Sequence, residues 1–341
     1  MTKRSAICLA LVLLAATGRT IGRQAVRTLD FYFIDVEGGA ATLVITPNGE
    51  SALIDSGNPG DRDAARIAKV AKEIAKVEGI NFILTTHWHG DHFGGLGKLS
   101  ELMPLGQYFD HGLPTSDPLP KDISPPLIET YRKLSAGQSR VLEAGRKIGE
   151  SVQVEILASG GRVIGDTSAV PQIRPCGDDF KPKPEDLSDN ANSLAFRLSH
   201  GKFDMYVGGD LTWNVEHRLV CPKPIVVPVD VLLVAHHGLD QSNHPALIKA
   251  LAPRVAIMNN GPRKGAEAGT VATLRAVDGL DAVFQLHRNV RAEDLNAPAA
   301  FIANDEEQCA AHYLKLSVEE GGARYTVTVP SKGTSKTYES R

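Results

Sequence analysis

The sequence predicts an α/β fold assembled from two αβ halves. Short apolar runs recur along the chain and end in turns rich in glycine, histidine and aspartate; segments with helical spacing lie between several of them; and a polar, proline-rich connection from Pro171 to Asp186 separates the halves.

The 341 residues suffice for one large domain, and 42% hydrophobic with 23% charged residues is ordinary for a globular protein. Lys3 and Arg4, the apolar Ala6 to Ala16 and the small residues Ala16-Thr17-Gly18 read as a secretory signal over residues 1–18, too short to span a bilayer. Its removal leaves 35 basic against 40 acidic residues, a net charge of about −5. An acidic mature chain lacks the footprint of a stable nucleic-acid partner, and no membrane association is expected after cleavage. The expected location is periplasmic or secreted. Cys176, Cys221 and Cys309 would then remain, which permits at most one disulfide plus a free thiol; partly buried free thiols are the expectation for all three.

A single domain is expected over residues 26–330. Leu29 to Val36, Thr42 to Ile45 and Ala52 to Ile54 read as an antiparallel meander, with a turn at Pro47-Asn48-Gly49. Arg62 to Val77 has helical spacing, with Ile67, Val70, Ile74 and Val77 on one face. The strand Ile80 to Leu84 follows, a βαβ-like step, and runs into Thr85-Thr86-His87-Trp88-His89-Gly90-Asp91-His92-Phe93-Gly94-Gly95. Three imidazoles and a carboxylate within six residues are the donors that zinc and its divalent neighbours prefer. His87 and His89, two apart in extended backbone, project to one side and can grip one ion. Past the turn at Gly90, Asp91 and His92 can be aimed at a second.

The His-x-His-x-Asp-His run resembles the signature of the metallo-β-lactamase superfamily of metal-dependent hydrolases. Ile34-Asp35-Val36-Glu37-Gly38-Gly39 and Leu53-Ile54-Asp55-Ser56-Gly57 look like its opening strands, in the branch resembling the extracellular domain of DNA-uptake competence proteins. The resemblance implies a four-layer αβ/βα sandwich, two mixed β-sheets flanked by helices, with metals at one edge of the sheets. It gives Asp55 a role supporting the metal loop; the competing reading is a turn residue capping its own loop.

From Met103 to Pro126, prolines, glycines and aspartates predict a long loop beside the site, with Tyr108 and His111 as ordinary loop residues. Ile128 to Leu142 reads as a helix and Val152 to Leu157 as a strand. Ser193 to Leu198 and Phe203 to Val207 form a hairpin that brings Asn192 and Asp210 to one edge and His200 to the other. By resemblance Asp210 is the bridging carboxylate. No third histidine stands where many family members carry one, and Asn192 takes that place as a weak ligand. Val229 to Ala235 ends in His236-His237-Gly238, matching the family's last ligand: His236 is the expected ligand and His237 a substrate-facing or supporting neighbour, an order that can be swapped. His244 reads as a helix cap, and His287 more as a buried residue than as part of the rim. Val255 to Met258, Ala282 to Leu286, Leu314 to Val318 and Tyr325 to Val329 complete the strands, with a helix at Val271 to Val277; residues 331–341 read as a frayed polar tail.

The expected activity is exported, metal-dependent hydrolysis by a metal-bound hydroxide, with Asp91 as ligand and catalytic residue. The cofactor is Zn2+, one or two ions, with Mn2+ or Fe2+ as alternatives. The second half's likeness to the competence branch favours a phosphodiester bond in a small or soluble substrate. The alternatives are acyl hydrolysis of a β-lactam, lactone or ester, and a metal-binding module without turnover.

Overall fold

A computed structural model describes residues 28–166 and 181–341. The signal segment, Cys8, Cys176 and most of the proline-rich connection lie outside the described residues. The first 141 residues supply β1 (Leu29–Phe33), β2 (Thr42–Ile45), β3 (Ser51–Ile54), β4 (Ile80–Leu84), β5 (Leu105–Asp110) and β6 (Arg140–Val141). The middle supplies β7 (Lys147–Ile148), β8 (Gln153–Ser159), β9 (Arg162–Val163), β10 (Ala195–His200), β11 (Phe203–Val207), β12 (Val231–Leu233), β13 (Val255–Met258), β14 (Ala282–His287) and β15 (Ile302–Asn304). The C-terminus supplies β16 (Leu314–Val318), β17 (Arg324–Val329) and β18 (Thr334–Glu339).

Among the described residues these form two nine-stranded sheets, one ordered β18-β17-β16-β1-β2-β3-β4-β5-β6, the other β15-β14-β13-β12-β11-β10-β8-β7 with β9 on β8. Both are mixed. β1 to β3 pair antiparallel and β3 to β6 parallel, while β8, β10 and β11 pair antiparallel and β11 to β15 parallel. The period of two along β1 shows how the layers arise. Leu29, Phe31 and Phe33 point into a core shared with Phe196, Phe203, Leu233 and Phe284 of the second sheet. Tyr32 points the other way, to Ile67, Leu99 and Ile128 on the outer helices α1 (Asp61–Lys69), α3 (Leu96–Leu102) and α4 (Pro125–Leu134). The second sheet is covered by α5 (Trp213–Arg218), α6 (Pro245–Leu251) and α7 (Ala268–Arg275), and the short α2 (Gly90–Phe93) carries the metal loop. This is the expected four-layer αβ/βα sandwich.

The local differences have physical causes. The loop expected from Met103 contains β5, which pairs parallel with β4 beside the metal loop; its Gly106 and Gln107 hide the strand pattern, and Tyr108 is buried. The helix expected to reach Leu142 stops at Leu134. The polar tail expected to fray pairs with β17 from Arg324↔Glu339 to Val329↔Thr334. As an edge strand it needs one anchor: Tyr338 is buried and stacks on Tyr325, with centroids 5.2 Å apart, while Ser335 and Thr337 exchange hydroxyl contacts with Thr328 and Thr326. Cys221 is disulfide-bonded, unlike the free thiol expected, and Cys309 is free.

Candidate metal centre

The site forms where ends of strands from both sheets converge. β4 delivers Thr86, His87 and His89, and α2 delivers Asp91 and His92; β3 ends at Asp55, β11 at Gly209-Asp210 and β12 at His236-His237. Gly39 seats the opening loop on the metal loop, since a Cβ there would collide with the carbonyl of Asp91.

Asp91, His92, Asp210 and His237 each offer one donor atom, and the four atoms lie within 4.8 Å of one another. Asp210 Oδ2 is the focus: His92 Nε2 stands 3.2 Å away, His236 Nε2 and His237 Nε2 each 3.4 Å, and His87 Nε2 3.9 Å. Asp91 Oδ2 lies 3.3 Å from His237 Nε2 and 3.6 Å from His92 Nε2.

The outer nitrogens of the same rings are anchored. His92 Nδ1 donates to Asp55 Oδ2 at 2.8 Å and His237 Nδ1 to the Asn259 carbonyl at 3.1 Å; His87 Nδ1 lies 3.1 Å from Thr86 Oγ1 and His236 Nδ1 3.2 Å from Ser242 Oγ. Each Nε2 is thereby presented inward, and that of His87 is buried with no hydrogen-bond partner. Anchored imidazoles converging on two carboxylates fit a divalent cation of the zinc class.

The electrostatics match. Burial favours the neutral ring of His87 and pushes it well below its ordinary value. Burial opposes charge on His92 and His237 too, but the carboxylates of Asp210, Asp55 and Asp91 outweigh it at His92, and Asp210 at His237, so both are raised. Burial alone would raise Asp91 and Asp210; the surrounding histidines, and Lys264 for Asp91, hold both well below the carboxylate range. A bound cation would replace those protons as counter-charge.

His87, His92, Asp91 and Asp210 are brought together. Of the histidine pair, His237 belongs to the four-donor cluster with Asp91 and His92; His236 approaches Asp210 from beside Asn190, whose Nδ2 is 3.5 Å from its Nε2. Both have left-handed backbone, φ 52° and 55°, which splays the adjacent rings to centroids 6.1 Å apart. His89 packs edge-on against His87 at 4.7 Å, but its Nε2 faces Asp122 Oδ2 at 3.0 Å, and His89 is not part of the four-donor cluster. Asn192 is displaced from the expected position: its amide donates to Asp189 Oδ1 at 3.0 Å, and Asn190 is the amide beside the cluster. The 3₁₀ turn Asp189–Asn192, not foreseen in the hairpin reading, rotates the pair.

Several partners escaped the sequence reading. Asp189 Oδ2 accepts from Trp88 N at 2.6 Å and pairs with His111 Nε2 at 3.1 Å, so His111 braces the metal loop. Asp122 brings the segment after β5 against His89 and the Asp189 amide. Lys264 Nζ stands 2.6 Å from Asp91 Oδ2. His244 caps α6 as expected, accepting from Ala246 N at 3.1 Å, and His287 pairs with Asp35 instead of reaching the rim.

Part of the chain is similar to known proteins. The family model described as Metallo-beta-lactamase superfamily matches residues 34–108, which run from the end of β1 through the metal loop into β5. Metallo-beta-lactamase domain-containing protein 1 of Rattus norvegicus is 32% identical over 92 residues, covering 24% of this chain and 36% of that protein. The match thus spans about a third of the curated relative's length. Among solved structures, a putative metal-dependent hydrolase from Parabacteroides distasonis aligns at TM-score 0.41 and 14% identity, over 76% of this chain and 98% of that one. Zn(2+)-bound PqqB from Methylobacterium extorquens aligns at TM-score 0.41 and 13% identity, over 72% and 95%. Residues 34–108 are thus similar to the metallo-β-lactamase superfamily, and they contain Asp91 and His92 of the His/Asp cluster that could hold a metal ion.

Proposed function

We propose that this protein is an exported metal-dependent hydrolase of small anionic esters, phosphodiesters first. The observation that carries the substrate class is Lys264, an ammonium held 2.6 Å from Asp91 Oδ2 with its side chain partly open to solvent. Its loop is clamped: Gly265, at φ 82°, packs so tightly on the carbonyl of His237 that no Cβ would fit. A fixed cation at the mouth of the cluster complements a substrate with one negative charge beside the scissile bond.

His87 and His89, with His236 on Asp210, would hold a first ion, and Asp91, His92 and His237 a second, with Asp210 between them. Zn2+ suits these donors best, and Mn2+ or Fe2+ shares them. A bound ion supplies Lewis acidity and lowers the pKa of water. This chain's residues supply the rest: Asp55, Thr86, Ser242 and Asn259 fix the imidazoles, Asp91 orients the nucleophile, and Lys264 positions the substrate anion. Export rests on the N-terminal segment; among the described residues no helix is long and apolar enough to cross a membrane.

The test is turnover of bis(p-nitrophenyl) phosphate, a chromogenic β-lactam and a lactone by chelated and metal-reloaded protein. Metal-dependent turnover highest on the phosphodiester supports the reading. Turnover confined to the lactam or lactone would shift it to acyl hydrolysis, and metal bound without turnover on any ester would make the site a binding module.

A further inference from the structure

A second cluster of metal-ligating side chains lies outside the group around Asp210. Asp35 follows β1 in the first sheet, His287 ends β14 in the second, and Cys309 sits in the connection from β15 back to β16. Asp35 Oδ1 is 2.7 Å from His287 Nε2, Asp35 Oδ2 is 3.1 Å from Cys309 Sγ, and Sγ is 3.8 Å from Nε2. Asp35 and His287 are fully buried, whereas Cys309 is partly exposed and leaves a way in for an ion. We propose that Asp35, His287 and Cys309 form a mononuclear site for a zinc-class cation that clips the two sheets together.

The donor set carries this. Thiolate, imidazole and carboxylate on three separate elements are the combination that selects zinc over harder cations, with solvent available for the fourth position. Zinc–sulfur bonds of about 2.3 Å and zinc–nitrogen or –oxygen bonds of about 2.0–2.1 Å give tetrahedral edges of about 3.3–3.6 Å. One donor atom from each residue already lies within 4.8 Å of the others, so the side chains reach those edges by opening the two short hydrogen-bonded contacts and closing the 3.8 Å between Sγ and Nε2 slightly. Arg66 does not block the site. Its Nη1 lies 3.2 Å from Asp35 Oδ2, but the same guanidinium contacts Glu37 Oε1 at 2.7 Å and the Asp35 carbonyl at 3.2 Å, partners it keeps when the carboxylate turns to an ion.

Binding is proton-balanced. The cation displaces the thiol proton, which leaves to solvent as the metal–sulfur bond forms, and the proton that His287 Nε2 donates to Asp35 passes to the otherwise unpartnered Nδ1, which frees Nε2 for the ion. Without the ion the thiol stays protonated: burial and the Asp35 charge push it up to about 11.

Cobalt(II) distinguishes the two clusters, because a coordinated thiolate adds a strong near-ultraviolet charge-transfer band that histidine and aspartate ligands cannot give. The chelated full chain is titrated with Co2+ and its spectrum recorded. Wild type is expected to show the band, Cys309→Ser and His287→Ala to lose it with one fewer bound ion, and His237→Ala to keep it. Cys309→Ser retains a hydroxyl for Asp35, and thermal unfolding of the chelated variant checks that it folds as wild type does. A wild-type spectrum without the band, or a band that survives Cys309→Ser, overturns the proposal whatever the hydrolysis assays give.

Discussion

Lys264 Nζ and Asp91 Oδ2 lie 2.6 Å apart although 173 residues separate them in sequence, and the pair joins the second half of the chain to the metal loop of the first. The same carboxylate oxygen faces His92 and His237. Asp91 thus sits between a prospective ion and the one cation at the cluster among the contacts described, and that double duty yields the first prediction.

Lys264→Ala is expected to raise KM for an anionic phosphodiester about tenfold or more, the equivalent of one charged hydrogen bond, while leaving kcat within a few-fold. KM for a neutral p-nitrophenyl ester should not change. Steady-state kinetics on both substrates reads the difference; equal effects on both would remove Lys264 from substrate binding.

Asp55 accepts from Thr86 N at 2.8 Å through Oδ1 and from His92 Nδ1 through Oδ2, so it aligns the metal loop and the ring at once. Losing such an outer partner costs about 10–100-fold in metal affinity. Asp55→Ala should show that loss in competition titrations with a chromophoric chelator. An unchanged affinity would leave Asp55 the turn residue of the competing reading.

The adjacent histidines should separate. His237→Ala is expected to release the ion shared with Asp91 and His92, and His236→Ala the ion held with His87, each lowering the stoichiometry of the centre around Asp210 from two towards one. Metal analysis combined with Co2+ spectra distinguishes the two vacancies; identical spectra would show that only one of the pair is a ligand.

Glu216 of α5 is fully buried, accepting from His244 N at 2.7 Å, and burial raises it from 4.5 to about 7. Between those values the folded protein holds a proton that the unfolded chain has lost. The contribution is therefore complete below pH 4.5, and about 3 kcal/mol is lost as pH rises to 7. Glu216→Gln should flatten that part of the stability profile, measured by urea denaturation in the presence of chelator. A profile as steep as wild type would contradict the burial.

The metal strand, the hairpin end that carries Asp210 and the His-His-Gly turn are legible because each couples a strong apolar run to an unusual cluster of donors. β5 and β18 were not. One is interrupted by glycine and glutamine, and the other is an edge strand whose alternation is polar except at Tyr338. Asn192 was misplaced by one short turn, which moved Asn190 to the cluster and turned Asn192 to Asp189. Lys264, Asp122 and Asp189 act through tertiary contacts, such as Asp189 to Trp88 across 101 residues, for which local pattern carries no signal.

The most direct test is Asp210→Ala, since Asp210 Oδ2 faces four imidazoles. Metal content and turnover of bis(p-nitrophenyl) phosphate should be measured together after chelation and reloading with Zn2+. The expected result is loss of at least one ion with kcat/KM lowered by about a thousandfold, on the scale of removing a principal electrostatic element from an active site. A variant that retains wild-type metal content and turnover would contradict a metal-dependent hydrolase centred on this carboxylate.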